Sequence, residues 1–285
     1  MKIYNKLILG TVQFGLKYGV NNVIGQVLPE EGKKILSTCK EKGISKLDTS
    51  AAYGNSEQVL GSFIGKDFDV ISKYPRCDHS VRNVFDASLK YLGLNQIYGY
   101  LIHHFDFFRE SPSIWDEISL LKEEKKIGKI GFSLYETGEL DFLLDNNIQF
   151  DLIQFPYNIF DRTFEPYLRI LKDRNVEIHT RSVFLQGLFF MDLGSLPEKL
   201  LPLTTYLSEL KIFCRKWNFS VEEVALNYAV HNEYIDGILI GVDNSEQLIK
   251  NTDCIWDKCP SEILDFVDLL NINEKELLHP KNWNQ

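Results

Sequence analysis

Asp48, Tyr53, Lys73 and His103 are the residues of this chain whose types and spacing suit proton transfer to an oxygen atom. Asp48 follows a short apolar run at residues 44–47, and Tyr53 lies five residues on, in a turn of small residues that continues to Asn55. Lys73 follows a second run at residues 68–72, and His103 follows a third at residues 97–102. A tyrosine phenol, with an ordinary pKa near ~10, is a poor acid at neutral pH. A neighbouring ammonium stabilises the phenolate and lowers that value, so Lys73 is expected to make Tyr53 a usable donor to a forming alkoxide. Asp48 is placed to neutralise a buried Lys73, and His103, as a hydrogen-bond donor, would orient and polarise a carbonyl oxygen. Singly, each residue has an ordinary structural explanation: a helix cap, a structural ion pair, a core histidine. Placement at three consecutive strand ends is what makes them one site, because neighbouring strands lie under ~5 Å apart.

Those strand ends require a particular scaffold. Short apolar runs at residues 6–10, 44–47, 68–72, 97–102, 129–133, 152–155, 176–179 and 237–240 read as eight strands. Helical patterns stand between them. One begins at Pro29 and stops at Gly43, one spans residues 56–63, and one spans residues 81–92 and stops at Gly93. Others cover residues 114–126, 140–144 and 164–172, and two patterns precede strand eight, the second opening with a capping box at Ser220 and Glu223. Residues 180–202 read as the longest irregular piece, and residues 245–250 and 262–270 as the last helices. Strict alternation implies an α/β protein with a parallel sheet, and eight units fit a (β/α)8 TIM barrel forming a single domain over residues 1–285. A doubly wound open sheet is disfavoured because Gly10-Thr11-Val12-Gln13-Phe14-Gly15 lacks the Gly-x-Gly-x-x-Gly spacing.

Composition narrows the function. The net charge of −9, with no dense Lys/Arg run, argues against nucleic-acid or anionic-membrane partners. The first six residues are too short and polar for a signal peptide, and no apolar run approaches ~18 residues, so a cytoplasmic protein is expected. The five cysteines are scattered and read as free thiols, and no metal site is expected from Cys254 and Cys259.

The stretch from Asp48 to Gly61, the strand end Ile71-Ser72-Lys73, and Leu101-Ile102-His103 with Asp106 beyond resemble the aldo/keto reductase family, and the likeness runs from Gly10 to about Asn251. The resemblance implies a (β/α)8 barrel that reduces aldehydes and ketones with NADPH or NADH. Its catalytic tetrad falls on Asp48, Tyr53, Lys73 and His103, with His104 replacing a common aromatic. Ser133 and Gln154 match residues that hold the nicotinamide carboxamide, with Leu134 where an Asn is usual. Residues 241–251 resemble the segment that binds the adenosine phosphate. There Gly241, Val242 and Gln247 replace the cations that select a 2′-phosphate, and Asp243 adds a negative charge. Amides at the helix start after Asn244 remain available for a phosphate, and Lys250 is the other nearby cation. Gly10, Thr11, Arg181, Gly241, Asn244, Gln247 and Asn251 complete the cofactor positions. Weak discrimination between NADPH and NADH is expected. The six residues before strand one are too few for the hairpin that often plugs this barrel's floor.

The substrate is expected to be a small-molecule carbonyl compound. Short segments after strand four, at residues 105–113, and after Leu270 suggest an open cleft. Arg76, Arg162 and Arg181 are expected to point from one rim, and Phe105, Phe107 or Phe108 to stack on a keto- or aldo-sugar that could be nucleotide-linked. Two other functions fit the sequence: redox-neutral isomerisation or epimerisation of a sugar by a bound cofactor, and a non-catalytic, cofactor-binding regulatory barrel.

Overall fold

The computed structural model describes residues 3–283. Eight strands, β1 (Leu7–Gly10), β2 (Lys46–Asp48), β3 (Asp69–Tyr74), β4 (Ile97–Ile102), β5 (Ile127–Ser133), β6 (Leu152–Pro156), β7 (Glu177–Arg181) and β8 (Gly237–Gly241), pair in parallel in chain order. β8 closes on β1, so the sheet is a barrel without edges. Helices alternate with the strands: α1 (Val12–Gly15), α2 (Pro29–Lys42), α3 (Ser56–Gly61), α4 (Val81–Leu92), α5 (Phe105–Glu110), α6 (Ser113–Glu123), α7 (Thr137–Asp145), α8 (Glu165–Asp173), α9 (Thr204–Trp217), α10 (Val221–Val230), α11 (Ser245–Asp253) and α12 (Ser261–Leu269). The chain is thus a (β/α)8 TIM barrel.

Local chemistry sets several boundaries. Pro29 starts α2 with its fixed φ, and Gly43 ends it at φ 76, where a Cβ would be strained. The Ser80 hydroxyl caps α4 by accepting the Asn83 amide, and Ser220 and Glu223 form the capping box of α10.

Most of the apolar core lies between the sheet and the surrounding helices. A smaller layer fills the barrel itself, where Ile8, Ile71, Leu101, Leu152 and Leu239 pack together. Burying such side chains contributes roughly 1.5–3 kcal/mol each, and the layer separates a polar floor below from the barrel mouth above. At the floor, Glu177 accepts hydrogen bonds from Tyr98 Oη at 2.5 Å, from Lys46 Nζ at 3.3 Å and from Lys129 Nζ, and it pairs with His179 Nε2 at 2.7 Å. Residues 3–6 form one 3-10 turn before β1, and Lys6 donates to the carbonyls of Val230 and Asn232.

The barrel departs from the sequence reading in its loops. A one-turn helix, α1, occupies the start of the loop after β1, too short to leave a periodic signal. The segment after β4 holds α5, whose Phe105 and Phe108 face the core three residues apart. β7 runs on to Arg181, and residues 185–203 contain three 3-10 turns. Among the described residues, no helix is long and apolar enough to cross a membrane, no group of three or more His, Cys, Asp or Glu could hold a metal ion, and all five cysteines are free.

Burial alone would raise the carboxyl pKa of Glu177, but the hydrogen bonds from His179, Lys129 and Tyr98 outweigh it and hold the group well below its usual range. A depressed folded-state pKa stabilises the fold above the unfolded value of 4.5, and that contribution disappears as pH falls through the folded value. Glu177→Gln should therefore cost about 3–5 kcal/mol near pH 7, because it leaves two lysines unpaired at the floor. Urea denaturation at pH 7 and pH 3 checks this: the gap between wild type and variant should narrow at pH 3. A gap that does not change with pH counts against the floor's charge pairing.

Candidate active site

Strand positions two apart face the same way, so the residues at the barrel mouth follow from the apolar layer beneath. Ile8 is followed by Gly10, Ile71 by Lys73, Leu101 by His103, Leu152 by Gln154 and Leu239 by Gly241; Lys46 and His179 of the floor are followed by Asp48 and Arg181. Asp48 and Lys73 are 2% and 1% exposed and form a direct ion pair through Oδ1. Asp48 Oδ2 accepts from Gln154 Nε2 at 2.8 Å, and Lys73 also donates to the Thr49 carbonyl at 2.9 Å. Burial pulls the Lys73 pKa down, and the Asp48 carboxylate works against that. Lys73 Nζ lies 5.2 Å from the Tyr53 ring centroid, on the ring face.

Two glycines bring the Tyr53 loop to this pair. A Cβ on Gly15 would sit 1.7 Å from the Tyr53 carbonyl oxygen, and one on Gly54, at φ +56, would sit 2.5 Å from the Gly15 carbonyl oxygen. Only bare backbone allows α1 to rest on the loop. Ser56 Oγ fastens the contact by donating to the Thr11 carbonyl at 2.8 Å, and Thr11 Oγ1 donates to the Asp48 carbonyl at 2.9 Å. The phenol itself corrects the sequence expectation. Burial first, and the Asp48 charge second, push the Tyr53 pKa above its ordinary value. Lys73 donates to Asp48 and Thr49, and burial holds the phenol protonated.

His103 meets Tyr53 edge to face, with ring centroids 5.7 Å apart. Ser50 Oγ lies 3.1 Å from His103 Nδ1, accepts the Ala52 amide and lies 3.5 Å from the Lys73 carbonyl oxygen, its other acceptor. A Ser50 proton given to Nδ1 places the imidazole hydrogen on Nε2. Burial, followed by the Lys73 charge, drives the His103 pKa well below its ordinary value, so the ring is neutral at neutral pH. His104 stacks on it from the exposed side, with centroids 4.7 Å apart.

A cavity of about 570 Å³ extends from Asp48 and Tyr53 to the start of α11. Gly10, Thr11, Gln154, Arg181, Gly241, Gln247 and Asn251 line it; Ser133 and Asn244 do not. Ser133 is buried at the end of β5, beside Gln154 in the ladder, and Asn244 caps α11 by accepting the Gln247 amide at 2.8 Å. Gln13, Tyr18 and Ser50 escaped the sequence reading, because they lie in loops where no periodicity marks a facing side. Gln13 Oε1 is buried in the cavity wall without a hydrogen-bond partner, which suits a ligand bearing amide or hydroxyl donors. Tyr18 and Gln186 hydrogen-bond at 2.6 Å where the loops after β1 and β7 meet over the cavity. The chamber and its donor and acceptor groups fit a nicotinamide dinucleotide.

The expected rim arginines do not act together. Arg76 pairs with Glu110 and Asp106 and covers the Phe107 ring, and Arg162 donates to the Leu270 carbonyl and faces Asp268. Both are consumed by nearby acceptors, and only Arg181 lines the cavity. Its guanidinium lies 4.0 Å from the Tyr135 ring centroid and donates to the Leu134 carbonyl at 2.9 Å. Phe105 and Phe108 are buried among Phe132, Phe142 and Trp115, and Phe107 stacks on Tyr74, so none is free for a sugar. The tail after Leu270 reaches the segment after β5: His279 and Lys281 approach the Tyr135 ring to 6.2 and 5.2 Å.

The family model described as "Aldo/keto reductase family" matches residues 6–263. The chain is 24% identical to an L-galactose dehydrogenase of Arabidopsis thaliana, over 88% of this chain and 86% of that protein. It is 23% identical to an NADH-specific methylglyoxal reductase of Escherichia coli (strain K12), over 73% and 78%. Among solved structures, an aldo-keto reductase of Bacillus halodurans in its holo form superposes with a TM-score of 0.73 at 19% identity, covering 92% and 91% of the two chains. A glycerol dehydrogenase of Gluconobacter oxydans gives 0.72 at 19% identity, covering 92% and 90%.

Tyr53→Phe removes the phenolic proton and little volume. Turnover should fall by roughly 10² or more while dinucleotide affinity stays within a few-fold. Lys73→Met should lower turnover similarly and also destabilise the fold, since Asp48 is left unpaired. Steady-state kinetics with dinucleotide titrations checks both, and normal turnover by Tyr53→Phe would remove the phenol from the chemistry.

Proposed function

The chain belongs to the aldo/keto reductase family, and from that premise we propose that it reduces the carbonyl of a small, oxygen-rich substrate of the sugar class to an alcohol, with Tyr53 as general acid. It is an NAD(P)H-dependent oxidoreductase. The observation that carries the mechanism is the buried Asp48–Lys73 pair beneath Tyr53, at one end of a cavity that extends to α11. When bound, the reduced nicotinamide supplies the hydride.

The side chains divide the remaining work. Tyr53, kept protonated by burial, gives its proton to the oxygen as alkoxide charge develops there. The Lys73 ammonium, 5.2 Å from the ring centroid, offsets the charge that then forms on the phenolate. Asp48 keeps Lys73 charged and in place, and Gln154 holds the second carboxylate oxygen. Neutral His103 presents its Nε2 hydrogen to the carbonyl oxygen and fixes its approach. Placing both donors before the reaction avoids much of the reorganisation that water would require.

The substrate class rests on the wall beside Tyr53. Arg181, Tyr18 and Tyr53 line it with polar groups, and Tyr135 backs the Arg181 guanidinium. Such a wall suits hydroxyl, carboxylate or phosphate oxygens better than an alkyl chain. One relative is named for a sugar, L-galactose, and another for methylglyoxal, a small oxygen-rich carbonyl compound.

The test compares kcat/KM for a panel of aldo- and keto-sugars with that for a simple apolar aldehyde, in wild type, Arg181→Ala and Arg181→Lys. The best sugar should exceed the apolar aldehyde by about tenfold or more, and Arg181→Ala should remove about 1–3 kcal/mol of that preference. Arg181→Lys should restore part of it. A better apolar aldehyde, unaffected by either substitution, would remove the substrate class and leave the reductase assignment standing. Binding of neither NADH nor NADPH would remove the assignment itself.

A further inference from the structure

We propose that the carboxylates of Glu31 and Asp243 make the cavity selective for NADH by denying NADPH a place for its 2′-phosphate. The inference rests on the reductase reading above. A dinucleotide that presents its nicotinamide to Tyr53 has only the α11 end of the cavity for its adenosine. The charges at that end decide what the adenosine ribose can carry.

Helix N-termini ordinarily attract phosphates through free amides and the positive end of the dipole. Here the chain supplies its own anion. Glu31, in the first turn of α2 and more than two hundred residues away in sequence, accepts both the Ser245 amide and the Ser245 hydroxyl on Oε1, each at 2.8 Å. These two hydrogen bonds hold the Glu31 carboxyl below its usual range, so it is charged at neutral pH. Asn244 Oδ1 takes the Gln247 amide at 2.8 Å. Of the first three amides of α11, two are therefore satisfied inside the protein, one of them by a negative charge.

Asp243 lines the cavity itself. Its Oδ1 accepts from Asn22 Nδ2 at 3.0 Å, its backbone amide donates to Gln247 Oε1 at 2.9 Å, and Gln247 Nε2 lies 3.4 Å from Oδ2. The carboxylate is thus fixed in the wall and retains acceptor capacity for a ribose hydroxyl. Lys250, the cation that the sequence offered to a phosphate, is paired with Glu222 at 2.5 Å, and both line the same end. Glu31, Asp243, Glu222 and Lys250 together carry a net charge of −2 around this end. A phosphate dianion there meets repulsion with no free cation among these four groups, whereas a 2′-hydroxyl can donate to an acceptor. Glu31 is 25% exposed and pairs with exposed Lys34, which moderates the repulsion without cancelling it.

NADH and NADPH titrations followed by quenching of protein fluorescence test this on the folded chain without turnover. Wild type should bind NADH about tenfold or more tightly than NADPH. In Glu31→Gln with Asp243→Asn, both side chains keep their shape and an acceptor oxygen, so the fold should persist. The NADH/NADPH affinity ratio of this double variant should fall by about tenfold, chiefly through tighter NADPH. Urea denaturation verifies folding, and each single substitution provides a second reading if the double variant unfolds. Equal or tighter NADPH binding by wild type, or an unchanged ratio in folded variants, overturns the proposal while the reductase reading survives. Binding of neither dinucleotide overturns both.

Discussion

The buried Asp48–Lys73 ion pair constrains everything at the barrel mouth. Taking an ammonium and a carboxylate out of water costs several kcal/mol for each, and their attraction offsets this only when the remaining hydrogens and lone pairs are satisfied. Three neighbouring segments meet that condition: Asp48 gives one oxygen to Lys73 and the other to Gln154, and Lys73 also reaches the Thr49 carbonyl. Shifting any of β2, β3 or β6 by one residue would turn its polar group into the apolar layer between sheet and helices. The pair therefore locks the register of the strands that carry it. It also leaves a fixed positive charge under the Tyr53 ring, which is the one place where a developing phenolate needs it.

The cavity is electrically asymmetric. Near Tyr53 it is lined by Arg181 and by Asp48, whose charge the buried Lys73 balances, and near α11 by Asp243 and by Glu222 paired with Lys250. A long ligand is consequently read for charge at both ends, and its orientation need not depend on shape alone. The apolar layer of Ile8, Ile71, Leu101, Leu152 and Leu239 isolates this arrangement from the Glu177 cluster at the floor. Two buried ionic groups can coexist in one narrow barrel because hydrocarbon separates them.

Much of the frame was legible in the sequence. β1, β4, β6 and β8 are predominantly apolar runs, as expected where both faces of a parallel sheet are covered, and alternation with capped helices implied the barrel. Asp48, Lys73 and His103 were locatable because each directly follows a short apolar run that reads as a strand. What escaped depended on tertiary placement. Phe105 and Phe108 could face either cleft or core by type, and the extra turn of α5 turns them inward. Arg76 and Arg162 have rim positions, but acidic neighbours and a carbonyl from other segments claim them. The phenol of Tyr53 rises in pKa because desolvation, invisible in a list of neighbours, and then the Asp48 charge exceed the help of the Arg181 cation. Glu31 belongs to a helix that no local pattern connects with α11.

The contact of Gly15 and Gly54 has a bearing on how such an enzyme changes over time. Loops at a barrel mouth are commonly regarded as separate modules, free to vary while the scaffold stays constant. Here the turn after β1 and the loop bearing Tyr53 touch through bare backbone at two points, with no side chain between them to absorb a mismatch. An insertion in the first loop would displace the second. These two loops form a single unit of inheritance: recombination that brings in one without its mate would separate the cavity wall from the tyrosine it has to face.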